Sequence, residues 1–137
     1  MAVIEELIRV EANETLSFGN HLMETKKKVL DFEVDGNLYK VKTYKEITKL
    51  EKNGILLYES VPGTTVHHFD MDEKNISYSV EGERDAQITM ELEPEKEYKI
   101  FIDNVHVGKV KSNLAGKVTF SVNFSNGPQK VKIEKIG

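Results

Sequence analysis

Histidine and aspartate side chains occur close together at one place in the sequence, between His67 and Asp72. Imidazole and carboxylate groups bind metal ions and transfer protons, so this run is a candidate site for either chemistry. Neighbouring strand residues point to opposite faces, which prevents His67 and His68 from binding one metal ion together. His68, Asp70 and Asp72 could share a face. The same alternation is typical of the solvated side of a strand, and we expect that arrangement with no bound metal.

The segment from Asp70 to Asn75 also begins like a calcium-binding loop, because carboxylates alternate along it. The later positions that need a glycine and a bidentate glutamate are not filled. We therefore predict a turn that follows a strand.

Motifs of the common hydrolases and phosphate-binding proteins are missing from the sequence. It contains no Gly-x-Ser-x-Gly motif and no glycine-rich phosphate loop. Acid–base hydrolysis needs two carboxylates held opposite each other in a cleft, whereas Asp and Glu here mostly occupy alternating polar positions. We predict no catalytic residues, no cofactor and no enzymatic activity.

Aromatic side chains suggest a binding function as an alternative, since exposed rings can stack on the faces of sugars. Tyr39, Tyr44 and Tyr58 are the candidates for glycan stacking. The chain has no Trp, the residue that such platforms use most, and packing in a core is the competing explanation for these rings.

Phe101 is out of phase with the apolar residues on either side of it, Ile100 and Ile102. Because side chains alternate along a strand, Phe101 should face away from the main core. We expect it in a partner contact or beneath the N-terminal segment.

Composition restricts the class of protein further. The chain has 137 residues, no Cys and a net charge of −4, which excludes disulfides and argues against a basic nucleic-acid binder. No apolar run approaches the ~18 residues of a membrane span, and acidic residues interrupt the first apolar stretch, so it is not a secretory signal. A cytoplasmic location is the default expectation. Export without a cleaved signal, or release on lysis, would leave no trace in the sequence.

The second half of the chain alternates apolar and polar residues with a period of two, which predicts antiparallel strands with one face exposed to water. Asp103-Asn104 should form a two-residue hairpin turn with left-handed backbone angles at both positions. Asn126-Gly127-Pro128 predicts another turn. The alternating apolar residues are Ile76, Tyr78, Val80, Ile88, Met90, Leu92, Tyr98, Ile100, Ile102, Val105, Val107, Val118, Phe120, Val122, Phe124, Val131 and Ile133.

The first half also predicts mostly strands. Residues 29–43 form a hairpin around Asp35-Gly36, a second turn falls at Asn53-Gly54, and residues 64–71 are a further strand. Two segments have apolar spacings that fit a helix as well. We favour a strand for residues 3–10, and residues 43–50 are equally compatible with either state.

A family resemblance appears in the second half. Leu92-x-Pro94 is followed by Tyr98-x-Ile100-x-Ile102-Asp103-Asn104, and then by Gly116 and Phe120. This pattern resembles bacterial extracellular β-sandwich modules of the immunoglobulin or fibronectin-III kind, often appended to polysaccharide-active enzymes. The resemblance implies a sandwich hairpin and no activity.

The whole chain also resembles a group of small clostridial proteins, some of which carry an endosialidase label. Sialidase chemistry calls for an arginine cluster that grips a carboxylate, and the chain has only Arg9 and Arg84. We predict no glycosidase activity.

These observations predict an all-β fold, an antiparallel β-sandwich of the immunoglobulin or fibronectin-III kind with few or no helices. Residues 1–75 form an N-terminal β section and residues 76–137 the immunoglobulin-like section, unless the two are one continuous domain.

The predicted function is that of a non-enzymatic structural protein. It self-assembles through strand edges or faces, or binds another protein, and an N-terminal strand that adds to a neighbouring sheet is one mode. The alternative is a carbohydrate-binding accessory module with a polysaccharide partner. The predicted interaction residues are Val3, Ile4, Leu7, Ile8, Val10 and Phe101.

Overall fold

A computed structural model describes residues 3–136, so the outermost positions of the two predicted sections, residues 1, 2 and 137, lie outside the described residues. The described chain forms thirteen strands and no helix, and hence none that could cross a membrane. The strands are β1 Ile8–Val10, β2 Leu16–Phe18, β3 Lys27–Val34, β4 Asn37–Tyr44, β5 Ile47–Lys52, β6 Ile55–Val61, β7 Thr65–Met71, β8 Asn75–Glu81, β9 Ala86–Glu91, β10 Glu97–Ile102, β11 Val105–Lys111, β12 Lys117–Val122 and β13 Gln129–Lys135.

The strands form two antiparallel sheets that pack face to face, which confirms the predicted β-sandwich. The seven-stranded sheet has the order β1-β2-β7-β8-β13-β10-β11, and the six-stranded sheet has the order β12-β9-β6-β5-β4-β3. Strands from residues 3–75 and strands from residues 76–136 occur in both sheets, so the two predicted sections share one core.

Short turns join the two strands of each hairpin at the positions that the sequence predicted. Asp35-Gly36, Asn53-Gly54 and Asp103-Asn104 all have positive φ, and Asp103 and Asn104 reach 49° and 67°. Two consecutive left-handed residues give a turn whose twist matches that of the flanking strands. These hairpins are therefore specified locally.

Residues 3–10 differ from the strand expected there, and residues 43–50, which fitted a helix and a strand equally well, lie in two strands and the turn between them. Within residues 3–10 only Ile8–Val10 is a strand, because the Leu7 amide donates to the Ile4 carbonyl (3.0 Å) and closes a turn before it. Residues 43–50 are not helical but belong to β4 and β5. Tyr44 and Ile47 are cross-strand partners there, so their three-residue spacing reflects a hairpin with Lys45-Glu46 at its tip.

Four aromatic rings connect the sheets at the centre of the sandwich. Tyr58 of the six-stranded sheet meets Phe18 and Tyr78 of the other sheet edge to face, with ring centroids 5.4 and 5.6 Å apart. Phe69 lies against Phe18 and stacks on Tyr78. Such pairs contribute about 0.5–1.5 kcal/mol each beyond the burial of their area.

Hydroxyl groups form a buried network around Thr64, where the chain crosses from β6 to β7. The Thr64 hydroxyl is 2.8 Å from the Tyr58 hydroxyl and 2.7 Å from the Ser60 hydroxyl. The Thr48 hydroxyl donates to the Thr64 carbonyl (2.6 Å) and lies 2.9 Å from the Thr43 hydroxyl. Burial raises the pKa of Tyr58, so its phenol stays protonated. The network satisfies polar groups that would otherwise be costly inside the core.

Replacing Thr64 by Val should destabilise the fold by about 1–3 kcal/mol, because the buried Tyr58 and Ser60 hydroxyls lose their shared partner. Urea unfolding followed by tyrosine fluorescence measures this. Thr119→Val is the matched control, since Thr119 is exposed on β12, and it should change the free energy of unfolding by less than about 0.5 kcal/mol. Equal effects of the two substitutions would contradict the role given to Thr64.

Candidate functional site

At one end of the sandwich the two sheets leave a groove of about 520 Å³ between them. Strands β3 to β6 supply one wall, and β2, β7 and the turn after β7 supply the other. The buried side chains of Leu16, Leu57 and Phe69 form the base, and the half-buried ring of Tyr39 lines the wall. The groove is open at hairpin ends, where polar side chains collect.

The rim of the groove is acidic. Among the described residues it carries five carboxylates and a single amine, that of Lys52, whose Nζ lies 6.0 Å from the centroid of the Tyr39 ring. Burial, and then the charge of Asp35, raises the pKa of Tyr39. The groove therefore attracts cationic or hydrogen-bond-donating groups. The carboxylates are those of Glu14, Asp35, Asp70, Asp72 and Glu73.

Asp72 shapes the turn at the edge of this groove. Its Oδ1 accepts hydrogen bonds from the backbone amides of Lys74 and Asn75, both at 2.8 Å. These bonds lower the pKa of Asp72, so the group stays ionised and is unsuited to act as a general acid. The segment predicted to be a turn rather than a calcium loop is such a turn.

A bulge in β7 separates His68 from Asp70 and Asp72, the residues that the sequence suggested could share a face. His67 pairs with Ser79 and Asp70 with Ser77, so β7 has one extra residue between these pairs, and His68 has φ of 55°. Asp70 and Asp72 line the groove, whereas the His68 ring lies 3.2 Å from the Thr15 hydroxyl. Among residues 3–136 no group of three His, Asp or Glu side chains could hold a metal ion.

The three candidate tyrosines do not form one platform. Tyr58 is fully buried in the aromatic cluster, so the expectation that it stacks on a glycan is wrong. Tyr44 is half-buried, and its hydroxyl donates to Glu46 (2.7 Å) on the outer side of the six-stranded sheet. Only Tyr39 of the three lines the groove.

The N-terminal residues predicted to contact a partner serve this chain's own fold. Ile4, Leu7 and Ile8 are buried, and β1 pairs with β2 rather than being left for a neighbouring sheet. The turn at Leu7 directs these apolar side chains inward, which the sequence alone did not show. Val3 is half-buried and Val10 is 44% exposed.

Phe101 lies outside the main core, as predicted from its phase along β10. Its ring centroid is 5.2 Å from that of His106 on β11. It does not lie beneath the N-terminal segment, because β1 and β10 are near opposite edges of the seven-stranded sheet.

Strand β11 forms that edge, and its first half is apolar. Val105 and Val107 are 61% and 57% exposed, and Gly108 follows them. The pairing with β10 shifts between Ile100 and Phe101, which places one extra residue, Val107, in β11. The sequence predicted that these valines lie in a strand. It did not predict that the strand is an exposed edge, because that depends on the order of the strands.

A histidine is buried beside the crossing between the sheets. His21 Nδ1 lies 2.7 Å from the Thr65 hydroxyl, and the ring lines two adjoining cavities of about 260 and 390 Å³. Burial lowers the pKa of His21, and the charge of His67 acts in the same direction, while Glu81 and Glu83 oppose it. His67 Nε2 itself lies 3.5 Å from Glu81 Oε1.

Lowering the pH through about 6.5 should therefore destabilise the protein, because unfolded His21 takes up a proton that folded His21 resists. Above that pH this contribution is constant. His21→Gln should flatten the decline in the free energy of unfolding between pH 7 and 5.5, whereas His106→Gln, an exposed control on β11, should not. Parallel curves for wild type and His21→Gln would refute this assignment.

No family model matches the chain, and comparisons with curated proteins and with solved structures return no match.

Proposed function

We propose that this chain is a non-enzymatic structural protein that self-associates through the edge strand β11. The observation that carries the proposal is the pair of exposed valines, Val105 and Val107, on an edge strand of seven residues. An unpaired strand edge is a template for another strand, and apolar side chains beside it favour such pairing.

The other three edge strands carry features that discourage pairing, although β3 exposes Leu30 at 60%. Strand β1 has only three residues. Strand β3 begins with Lys27 and Lys28 and contains a bulge at Asp31, whose φ is 55°. Strand β12 begins with Lys117 and exposes Thr119 and Ser121. Short edges, lysines and bulges discourage edge pairing. Strand β11 also has a bulge, at Val107, and two lysines in its second half, so the proposal rests on the two exposed valines in its first half.

An antiparallel contact between two β11 strands would be a two-fold contact that uses the same surface twice. In an antiparallel contact centred on Val107, the first half of each β11, with Val105, lies beside the second half of the other, with Lys109 and Lys111, so the lysines of the two copies do not oppose one another. Phe101, on the neighbouring strand, adds apolar surface beside the contact.

The geometry of the groove favours a non-enzymatic role. Glycoside hydrolysis requires a protonated carboxyl group as general acid, and Asp72, which is held ionised, is unsuited to that part. Neither arginine lines the groove: Arg9 pairs with Glu6 and Glu11, and Arg84 lines a different cavity.

The double substitution Val105→Lys and Val107→Lys should abolish self-association, because four lysines would meet across a β11–β11 contact. Sedimentation equilibrium over a range of concentrations measures the mass. Val10→Lys on β1 is the matched control, since Val10 is also an exposed edge valine, and it should leave association unchanged. A wild-type chain that stays monomeric at millimolar concentration would overturn the proposal.

Point substitutions are a sharper test than truncation. Deleting residues 1–12 would remove Leu7 and Ile8 from the core, and loss of assembly would then report unfolding.

A carbohydrate-binding function is the second candidate, and the position of Tyr39 in the groove favours it. Tyr39→Ala should abolish retention on insoluble polysaccharides, whereas Tyr44→Ala, on the outer side of the six-stranded sheet, should not. Retention that both variants lose equally, or that neither wild type nor variants show, counts against this function.

A further inference from the structure

Lysines from three neighbouring strands stand in direct register on the outer face of the six-stranded sheet. Lys28 of β3 pairs with Lys42 of β4, and Lys42 pairs with Lys49 of β5. Directly paired residues project from the same face, and strands lie about 4.8 Å apart, so the three amines form a row. Lys26 lies just before β3 and acts electrostatically on Lys42. We call these four residues the lysine row.

The lysine row works against the stability of the fold. Like charges directly opposite each other on a sheet are destabilising. Burial lowers the pKa of Lys42, and the charges of Lys49, Lys26 and Lys28 add to the effect, while Glu59, the cross-strand partner of Lys49 on β6, opposes it. In the described part of the chain, Lys49 has a carboxylate within 4.0 Å, that of Glu51 at 3.9 Å, whereas Lys28 and Lys42 have none.

The acidic groove offers a charge complementary to that of the lysine row. Its five carboxylates surround a concavity of about 520 Å³, while the lysine row projects from a sheet face. None of the four lysines lines the groove, so the two surfaces are separate on one chain. The chain as a whole has a charge of −4, so the lysine row is a local exception to its sign.

We propose that the lysine row of one copy docks at the acidic groove of a second copy. This inference rests on the proposed self-association but adds a different contact. Because the two surfaces differ, the contact is head-to-tail, and it can repeat from copy to copy. Pairing of β11 strands, by contrast, closes after two copies.

Reversing either surface should weaken this contact. The first variant is Lys28→Glu, Lys42→Glu and Lys49→Glu, and the second is Glu14→Lys, Asp70→Lys and Glu73→Lys. Asp72 is left intact because it holds the turn after β7. In the first variant the row and the groove are both acidic, and in the second both are basic. Association beyond the dimer should therefore weaken at least tenfold in each variant alone. An equimolar mixture should recover it, since each surface then finds an opposite one.

Light scattering at about 0.01 M and about 1 M salt provides the measurement, because the screening length falls from about 30 to 3 Å over that range. Association of the wild type and of the mixture should be lost at high salt. Undiminished association of both single variants, or no recovery in the mixture, overturns the head-to-tail contact. The β11 contact is judged separately by the two valine substitutions, so failure of one contact does not conceal failure of the other.

The single substitution Lys42→Glu distinguishes an effect on docking from an effect on stability, because the two should change in opposite directions. It places a carboxylate between Lys28 and Lys49, which should raise the midpoint of urea unfolding while it weakens association. A lower midpoint, or association equal to wild type, would contradict the assigned role of the row.

Discussion

The hydroxyl of Thr64 holds the point at which the chain leaves one sheet and enters the other, and the sandwich depends on that crossing. Thr64 contacts Tyr58 and Ser60 of β6 through its hydroxyl and Thr48 of β5 through its backbone. Close packing makes the crossing exact: a Cβ on Gly19 would lie 2.6 Å from the Thr64 carbonyl oxygen. Because all of these hydrogen-bonding groups must be satisfied at once in a dry interior, alternative placements of β7 would leave some of them unpaired.

The parts of this fold that could be predicted from the sequence are those set by residues close together along the chain. The turns at Asp35-Gly36, Asn53-Gly54 and Asp103-Asn104 need only residues that tolerate positive φ, so the hairpins around them were predictable. The order of the strands was not, since β13 lies between β8 and β10 through contacts distant in sequence. The N-terminal segment was misjudged for a related reason. Its residues favoured a strand over 3–10, but a turn closed by the Leu7 amide and the Ile4 carbonyl precedes Ile8, and Ile4, Leu7 and Ile8 are buried in this chain's own core.

The candidate sites show the same difference between residue types, which the sequence reveals, and spatial arrangement, which it does not. Tyr39 and Asp70 were recognisable as residue types, but their meeting in a groove depends on both sheets ending together. The bulge in β7 separates His68 from the aspartates, and no composition or spacing indicates it. The lysine row was hidden most completely. Lys26, Lys27 and Lys28 look like a solvated strand end, and only the register with Lys42 and Lys49 reveals a row.

The two proposed contacts would draw on different features of one fold. A β11 contact would use backbone groups and valines, which depend little on salt, whereas docking of the lysine row at the acidic groove would depend on charge and be screened. The first contact would be symmetric and end at two copies, and the second would be directional and continue. Together they would link dimers into an extended assembly whose length is set by ionic strength. A fold that keeps three lysines in cross-strand register gives up some stability, and a contact available only between copies is a physical reason to retain them.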